Sequence, residues 1–145
     1  MLLGQYQIPL DDDGFVVIPQ PFSEIFTDGA YLTCGFEQNL LVMSSHTFEE
    51  IYKRLTGLNI ADPQARLLQR LMLGNAVKLE PDQAGQVLIP QSLKTFAGLE
   101  NQIVLVGQGN FYEIWSQAGW DKQNAELLNF DKNANRFASL DLALC

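Results

Sequence analysis

The feature that most constrains this chain is an internal repeat. Residues 14–20 read GFVVIPQ and residues 85–91 read GQVLIPQ, a constant offset of 71. Gly, Val, Ile, Pro and Gln coincide in place, and Asp11 and Asp82 match at the same offset, three residues before each Gly. The echo continues at an offset of 72, where Gly35 answers Gly107, Ser44 answers Ser116, and LLVMS at 40–44 parallels YEIWS at 112–116. Each copy therefore reads as turn, apolar strand, Ile-Pro-Gln, short helix, strand, Gly turn, strand. Two copies this similar in a chain of 145 residues fit one shared core, not two independent modules. They predict one α+β domain of two fused, pseudo-symmetric units.

Local rules place the elements. The turns at Asp13-Gly14 and Ala84-Gly85 look like hairpin loops between apolar stretches. Phe15 to Ile18 and Val87 to Ile89 read as strands that Pro19 and Pro90 end, because proline cannot donate to a ladder. Pro21 suits the first turn of a helix running through Phe26, and Ser92 to Ala97 forms its counterpart, stopped by Gly98. Three further helices lie outside the sheet repeats. Thr47-x-x-Glu50 spells a capping box ahead of an apolar stripe of Phe48, Ile51, Tyr52 and Leu55. Asp62-Pro63 opens a helix carrying Leu67, Leu68, Leu71 and Met72. Ser116 caps a third, carrying Trp120, Leu127 and Leu128. The divisions expected are 1–60, a connecting helix over 61–76, 77–130, and a tail over 131–145 that frays.

Charge and chemistry narrow the function. Nine basic residues against seventeen acidic ones give a net charge of −8, and the deficit is spread over both halves. Nucleic-acid affinity is dominated by phosphate neutralisation, so composition alone argues against DNA. No apolar run approaches the ~20 residues of a membrane helix, and the start has no basic n-region of a signal peptide. Two cysteines, Cys34 and Cys145, make neither a disulfide framework nor a zinc site and suit a reducing cytosol.

Catalytic and metal chemistry find little support. The one histidine, His46, sits near a helix start with no nucleophile signature beside it. The run Asp11-Asp12-Asp13-Gly14 fails as a calcium loop, because the register would need acids at Pro9 and Gln20. GQGN at 107–110 reads as a hairpin turn, its counterpart being simply Gly35. No enzyme, metal or cofactor is expected. Arg66 and Arg70, at i and i+4, could meet phosphate, although a solvated or salt-bridged face is the default.

The sequence resembles the MraZ transcriptional regulators of bacteria over nearly all of residues 1–130. The resemblance rests on MLLGQY, LDDDG, LLQRLMLGNA, DQAGQVLIPQ, FAGL at 96–99, and the VGQGN–YEIWS ending. It implies two fused AbrB-like swapped-hairpin units with a small barrel-like core and peripheral helices. It also implies a homo-oligomeric ring of protomers, and binding to short promoter repeats upstream of division and cell-wall genes. Such a protein would be cytoplasmic and nucleoid-associated. The family's motif in each half is Asp-x-x-x-Arg, with the arginine in the turn that faces DNA. This chain keeps Asp11 and Asp82 but carries Phe15 and Gln86 at the arginine positions, with Asp13 at a position often basic in the family. The DNA-facing loops would then comprise Asp11, Asp13, Gly14, Phe15, Asp82, Gly85 and Gln86. Arg66, Arg70, Lys78 and Lys94 are alternative phosphate contacts. Two readings follow: a DNA-binding regulator with a weakened contact set, or a scaffold of the same fold that works as a protein-interaction ring without DNA.

Overall fold

A computed structural model describes residues 1–143. The first half contains β1 (Gln5–Pro9), β2 (Phe15–Val17), α1 (Gln20–Ser23), β3 (Ala30–Cys34), β4 (Leu40–Ser44), α2 (Ser45–Thr56) and α3 (Pro63–Met72). The second contains β5 (Val77–Leu79), β6 (Gln86–Leu88), α4 (Gln91–Ala97), β7 (Gln102–Gly107), β8 (Phe111–Ser116), α5 (Gln117–Leu127) and α6 (Phe130–Phe137). The same order of elements thus occurs twice. Even the caps repeat: Pro19 and Pro90 precede α1 and α4 with φ/ψ of −57°/149° and −59°/149°. Ser44 and Ser116 accept from the backbone N–H groups of Thr47 and Gly119 at the starts of α2 and α5.

The strands exchange between the repeats. A six-stranded antiparallel sheet runs β1-β7-β8-β4-β3-β5, so each half places its first strand beside the other half's hairpin. β2 and β6 pair separately as a two-stranded ribbon. In the ribbon Val16 opposes Val87, and at the sheet centre Leu41 opposes Glu113. Those separations, 71 and 72, are the offsets of the repeat itself. Each of these residues therefore faces its own counterpart, and a pseudo-twofold axis passes through both pairs. The sheet stays open, with β1 and β5 as its edges, so the expected barrel-like core does not close. With only three-residue strands in the ribbon, closure would lack the register and tilt a barrel needs.

Strand alternation divides the core. Leu40 and Val42 point to the ribbon side, where they pack with Val16, Val87, Ile89, Leu93 and the fully buried Phe22. Leu41 and Met43 point the other way, onto Leu55 of α2 and Met72 of α3. Val104, Val106, Trp115 and Trp120 form a third cluster beneath α5.

Several sequence expectations shift. The Asp turns do not close hairpins, because β1 and β2 belong to different sheets and their partners come from the other repeat. The helix expected through Phe26 tightens after Ser23 into a 3-10 turn over Glu24–Thr27. The cap of α2 is Ser44 rather than Thr47, which is the third helical residue. Tyr52 lies outside the stripe assigned to it, and Leu67 is exposed on its helix. On α5 only Trp120 is buried, while Leu127 and Leu128 face out. Within the stretch expected to fray, the residues up to Phe137 form α6, capped by Asn129, whose side chain accepts from Lys132 N–H. Cys145 lies outside the described residues.

The contact that fastens α6 is polar. Buried Asn133 donates to the Glu126 and Leu127 carbonyls at the end of α5 and accepts from Arg136. Arg136 also pairs with Glu126 at 2.7 Å. The Arg136 hydrogen bond, then its charge, holds the Glu126 carboxyl below its ordinary value of 4.5. A depressed carboxyl contributes stability above its unfolded value and loses it as pH falls through the folded one. Arg136→Ala should therefore lower the melting temperature at pH 7, and the share of that loss due to the ion pair should shrink as the pH falls through the depressed Glu126 carboxyl, leaving the share due to the Asn133 hydrogen bond. A difference that persists unchanged at pH 3 would contradict this linkage.

Candidate nucleic-acid interface

The two Asp turns are built alike. Asp11 Oδ1 accepts from the backbone N–H groups of Asp13 (3.0 Å) and Phe15 (2.8 Å). Asp82 Oδ1 accepts from Ala84 (2.8 Å) and Gln86 (2.9 Å). Each turn is closed by Gly14 N–H or Gly85 N–H donating to the Asp carbonyl at 3.0 Å. Gly14 and Gly85 take φ of +95° and +78°, the left-handed region that a side chain strains. The aspartates are thus committed to their own backbone, and the turn forms without an arginine partner. Among the described residues no group of three His, Cys, Asp or Glu is placed to hold a metal.

Replacing Asp82 by alanine leaves two amides without their acceptor and should cost about 1–2 kcal/mol of unfolding free energy. Asp82→Asn keeps an oxygen acceptor there and should recover most of it. Equal losses for the two variants in denaturant titrations would show that the carboxylate charge, not its geometry, holds the turn.

The turns open onto the ribbon. Alternation buries Val16 and Val87 and turns Phe15, Val17, Gln86 and Leu88 to the outer face. Phe15 stands opposite Leu88, and Val17 opposite Gln86. Val17 and Leu88 are 57% and 47% exposed, so three of the four outward residues are apolar. Phe15 and Gln86 share a shallow hollow of about 210 Å³ with Asp11 and Val17. Sequence reasoning named Phe15 and Gln86 but missed Val17 and Leu88. The period-two spelling of FVV and QVL carried that signal.

The cations expected to meet phosphate are dispersed. Lys94 of α4 is on the ribbon side, where a methyl group placed on Gly14 would sit 3.6 Å from its Cδ. Gly14 is buried under this stem, whereas the corresponding space at Gly85 is open. The counterpart of Lys94 at the 71 offset is Ser23, so only the first turn has a lysine against it. Lys78, on edge strand β5, pairs with Glu80 at 3.5 Å. Arg66 donates to the Ile60 carbonyl at 2.8 Å. Arg70 is exposed on the same helix. That helix packs on the sheet face opposite the ribbon, so these arginines do not join the ribbon-side group. His46 is exposed on the first turn of α2, its backbone N–H donating to Asp28.

No helix among the described residues is long and apolar enough to cross a membrane. The family model described as "MraZ protein, putative antitoxin-like" matches residues 1–71 and 72–140, one match to each half. A protein of Roseiflexus castenholzii named transcriptional regulator MraZ is 36% identical over 138 residues, covering 95% of this chain and 94% of its own length. One of the same name from Thermus thermophilus is 41% identical over 130 residues, covering 88% and 90%. Another, from Nitrosomonas eutropha, is 38% identical over 125 residues, covering 83% and 84%. With two family matches coinciding with two structural repeats, and relatives aligned over most of their length, the chain belongs to the MraZ family.

Proposed function

We propose that the chain is a sequence-specific DNA-binding transcriptional regulator acting on promoter repeats upstream of division and cell-wall genes, and that it grips DNA weakly. It would work as a homo-oligomer in the cytoplasm, at the nucleoid, without catalytic chemistry. The observation that carries the reading is the dyad-centred ribbon flanked by two matching Asp turns. A two-stranded ribbon is an element that the major groove admits. The relatives' shared name, transcriptional regulator, supports the same role.

The weakness follows from the side chains on that element. Phe15 offers no hydrogen bond, Gln86 offers one without charge, and three carboxylates crowd the first turn. Lys94 is the phosphate contact best placed to remain. Oligomerisation would offset part of the loss, since several ribbons engaging one duplex raise avidity.

A salt titration against the duplex upstream of the protein's own gene tests this. Binding should be clear at 50 mM salt and fall to the range of about 10⁻⁴–10⁻⁶ M, typical of non-specific association, at physiological salt. Nanomolar affinity at 150 mM salt would refute the weakening. Absence of binding at every salt concentration would instead favour a scaffold that has shed DNA, a reading that the apolar outward triad of Phe15, Val17 and Leu88 supports.

A further inference from the structure

The pseudo-twofold axis relates two surfaces on the far side of the sheet that have become unlike. In the first repeat α2 and α3 wall a cleft of about 330 Å³ over Leu41, Met43 and Phe111, with Phe36 at its rim, 68% exposed. Arg54 lines this cleft and has no carboxylate partner among the described residues. At the 72 offset, Leu41, Ile51 and Phe36 become Glu113, Gln123 and Gln108, and Arg54 becomes Glu126. At these positions one copy is apolar with a cation and the other polar with an anion that Arg136 already pairs, whereas Met43 and Leu55 keep apolar counterparts in Trp115 and Leu127.

The second repeat carries its exposed apolar surface elsewhere. Helix α6 turns its polar Asn133 inward and its Phe130 and Phe137 outward, at 74% and 55% exposure. Leu140 and Leu142 follow, 65% and 77% exposed, with Asp141 between them. A chain that displays a concave apolar surface bearing a positive charge and a projecting apolar tract bearing a negative one is complementary to itself. Because the two surfaces differ, their union is heterologous. It repeats from copy to copy and closes where the rotation allows.

We propose that the C-terminal tract of one copy, Phe137 to Leu142, seats in the α2–α3 cleft of a second copy. Leu140 and Leu142 cover the floor formed by Leu41, Met43 and Phe111, and Asp141 faces Arg54. The proposal rests on the homo-oligomer named above and assigns its contact surfaces.

Complementation of two variants tests it. Phe36→Asp with Arg54→Glu spoils the cleft, and Leu140→Asp with Leu142→Asp spoils the tract. All four positions are exposed, so the fold should persist, checked by circular dichroism and melting. By light scattering at micromolar concentration, the parent chain should run as a multiple of 16.2 kDa and each variant alone as the monomer. An equimolar mixture should form a dimer and nothing larger, because one intact cleft and one intact tract remain per pair. If either variant alone keeps the parent's mass, or if the mixture stays monomeric, the assignment of surfaces is overturned while the oligomer stands. A parent chain that is monomeric at every concentration removes the oligomer itself, and is also the result expected if the tract instead folds onto its own cleft.

Discussion

Replacing Phe15 and Gln86 together by arginine should raise duplex affinity and steepen its dependence on salt. Both positions face outward from the ribbon, and neither turn depends on their side chains, since Asp11 and Asp82 hold only backbone amides. An added phosphate contact contributes about 0.9 to the slope of log affinity against log salt. A bidentate contact to a base edge adds about 1–3 kcal/mol of discrimination. One such contact therefore gives roughly a tenfold to hundredfold gain on the specific site. The gain should be larger at position 86, where Gly85 is open and fewer carboxylates stand nearby, than at position 15, where Asp11, Asp12 and Asp13 compete for the guanidinium. Lys53→Ala is the control, because that lysine sits on α2, on the other face of the sheet, paired with Glu50 at 3.7 Å. If the unmodified chain already binds tightly and the double arginine variant adds nothing, contact must run through another surface. The Arg66–Arg70 face would be the first to examine.

The largest loss of stability is expected from Phe22→Ala. This ring is fully buried, stacked on Tyr112 at 4.7 Å and edge-on to Tyr6 at 5.1 Å. It therefore ties α1 to β1 and to β8, which belong to different repeats. Truncating a buried Phe costs about 3–5 kcal/mol through lost transfer energy and the cavity left behind. For a chain of this size, each kcal/mol moves the midpoint by about 2–4 °C, so a drop of roughly 6–20 °C should appear in thermal melts. Collapse around the void is opposed by the neighbours: Tyr112 is itself fully buried, and its hydroxyl has no partner among the described residues. Leu93→Ala, at the counterpart position in α4, should cost about 2–5 kcal/mol. A fall of under 3 °C for Phe22→Ala would show that the two repeats are not joined through this ring.

The turns, caps and repeat were legible because they depend on neighbours in sequence. An Asp four residues before the amide that donates to it, a glycine at positive φ and a proline after a strand are each fixed by local sterics and hydrogen bonding. Helix α6 was missed because what holds it is Asn133 turned inward against the α5 carbonyls. A buried polar residue inverts the apolar stripe that periodicity detects. Tyr52 fits the i, i+4 spacing of the α2 stripe, and only the orientation of that helix on the sheet turns it out.

By itself the sequence determined that two equivalent units exist, where each Asp turn stands, and that Phe15 and Gln86 follow those aspartates four residues on. It could not determine which strands pair. Strand exchange, the open sheet, the axis through Val16–Val87 and Leu41–Glu113, and the stem of Lys94 over Gly14 all join residues far apart in sequence. Those contacts are decided by whichever packing buries both apolar faces at once, and a local pattern carries no record of that choice.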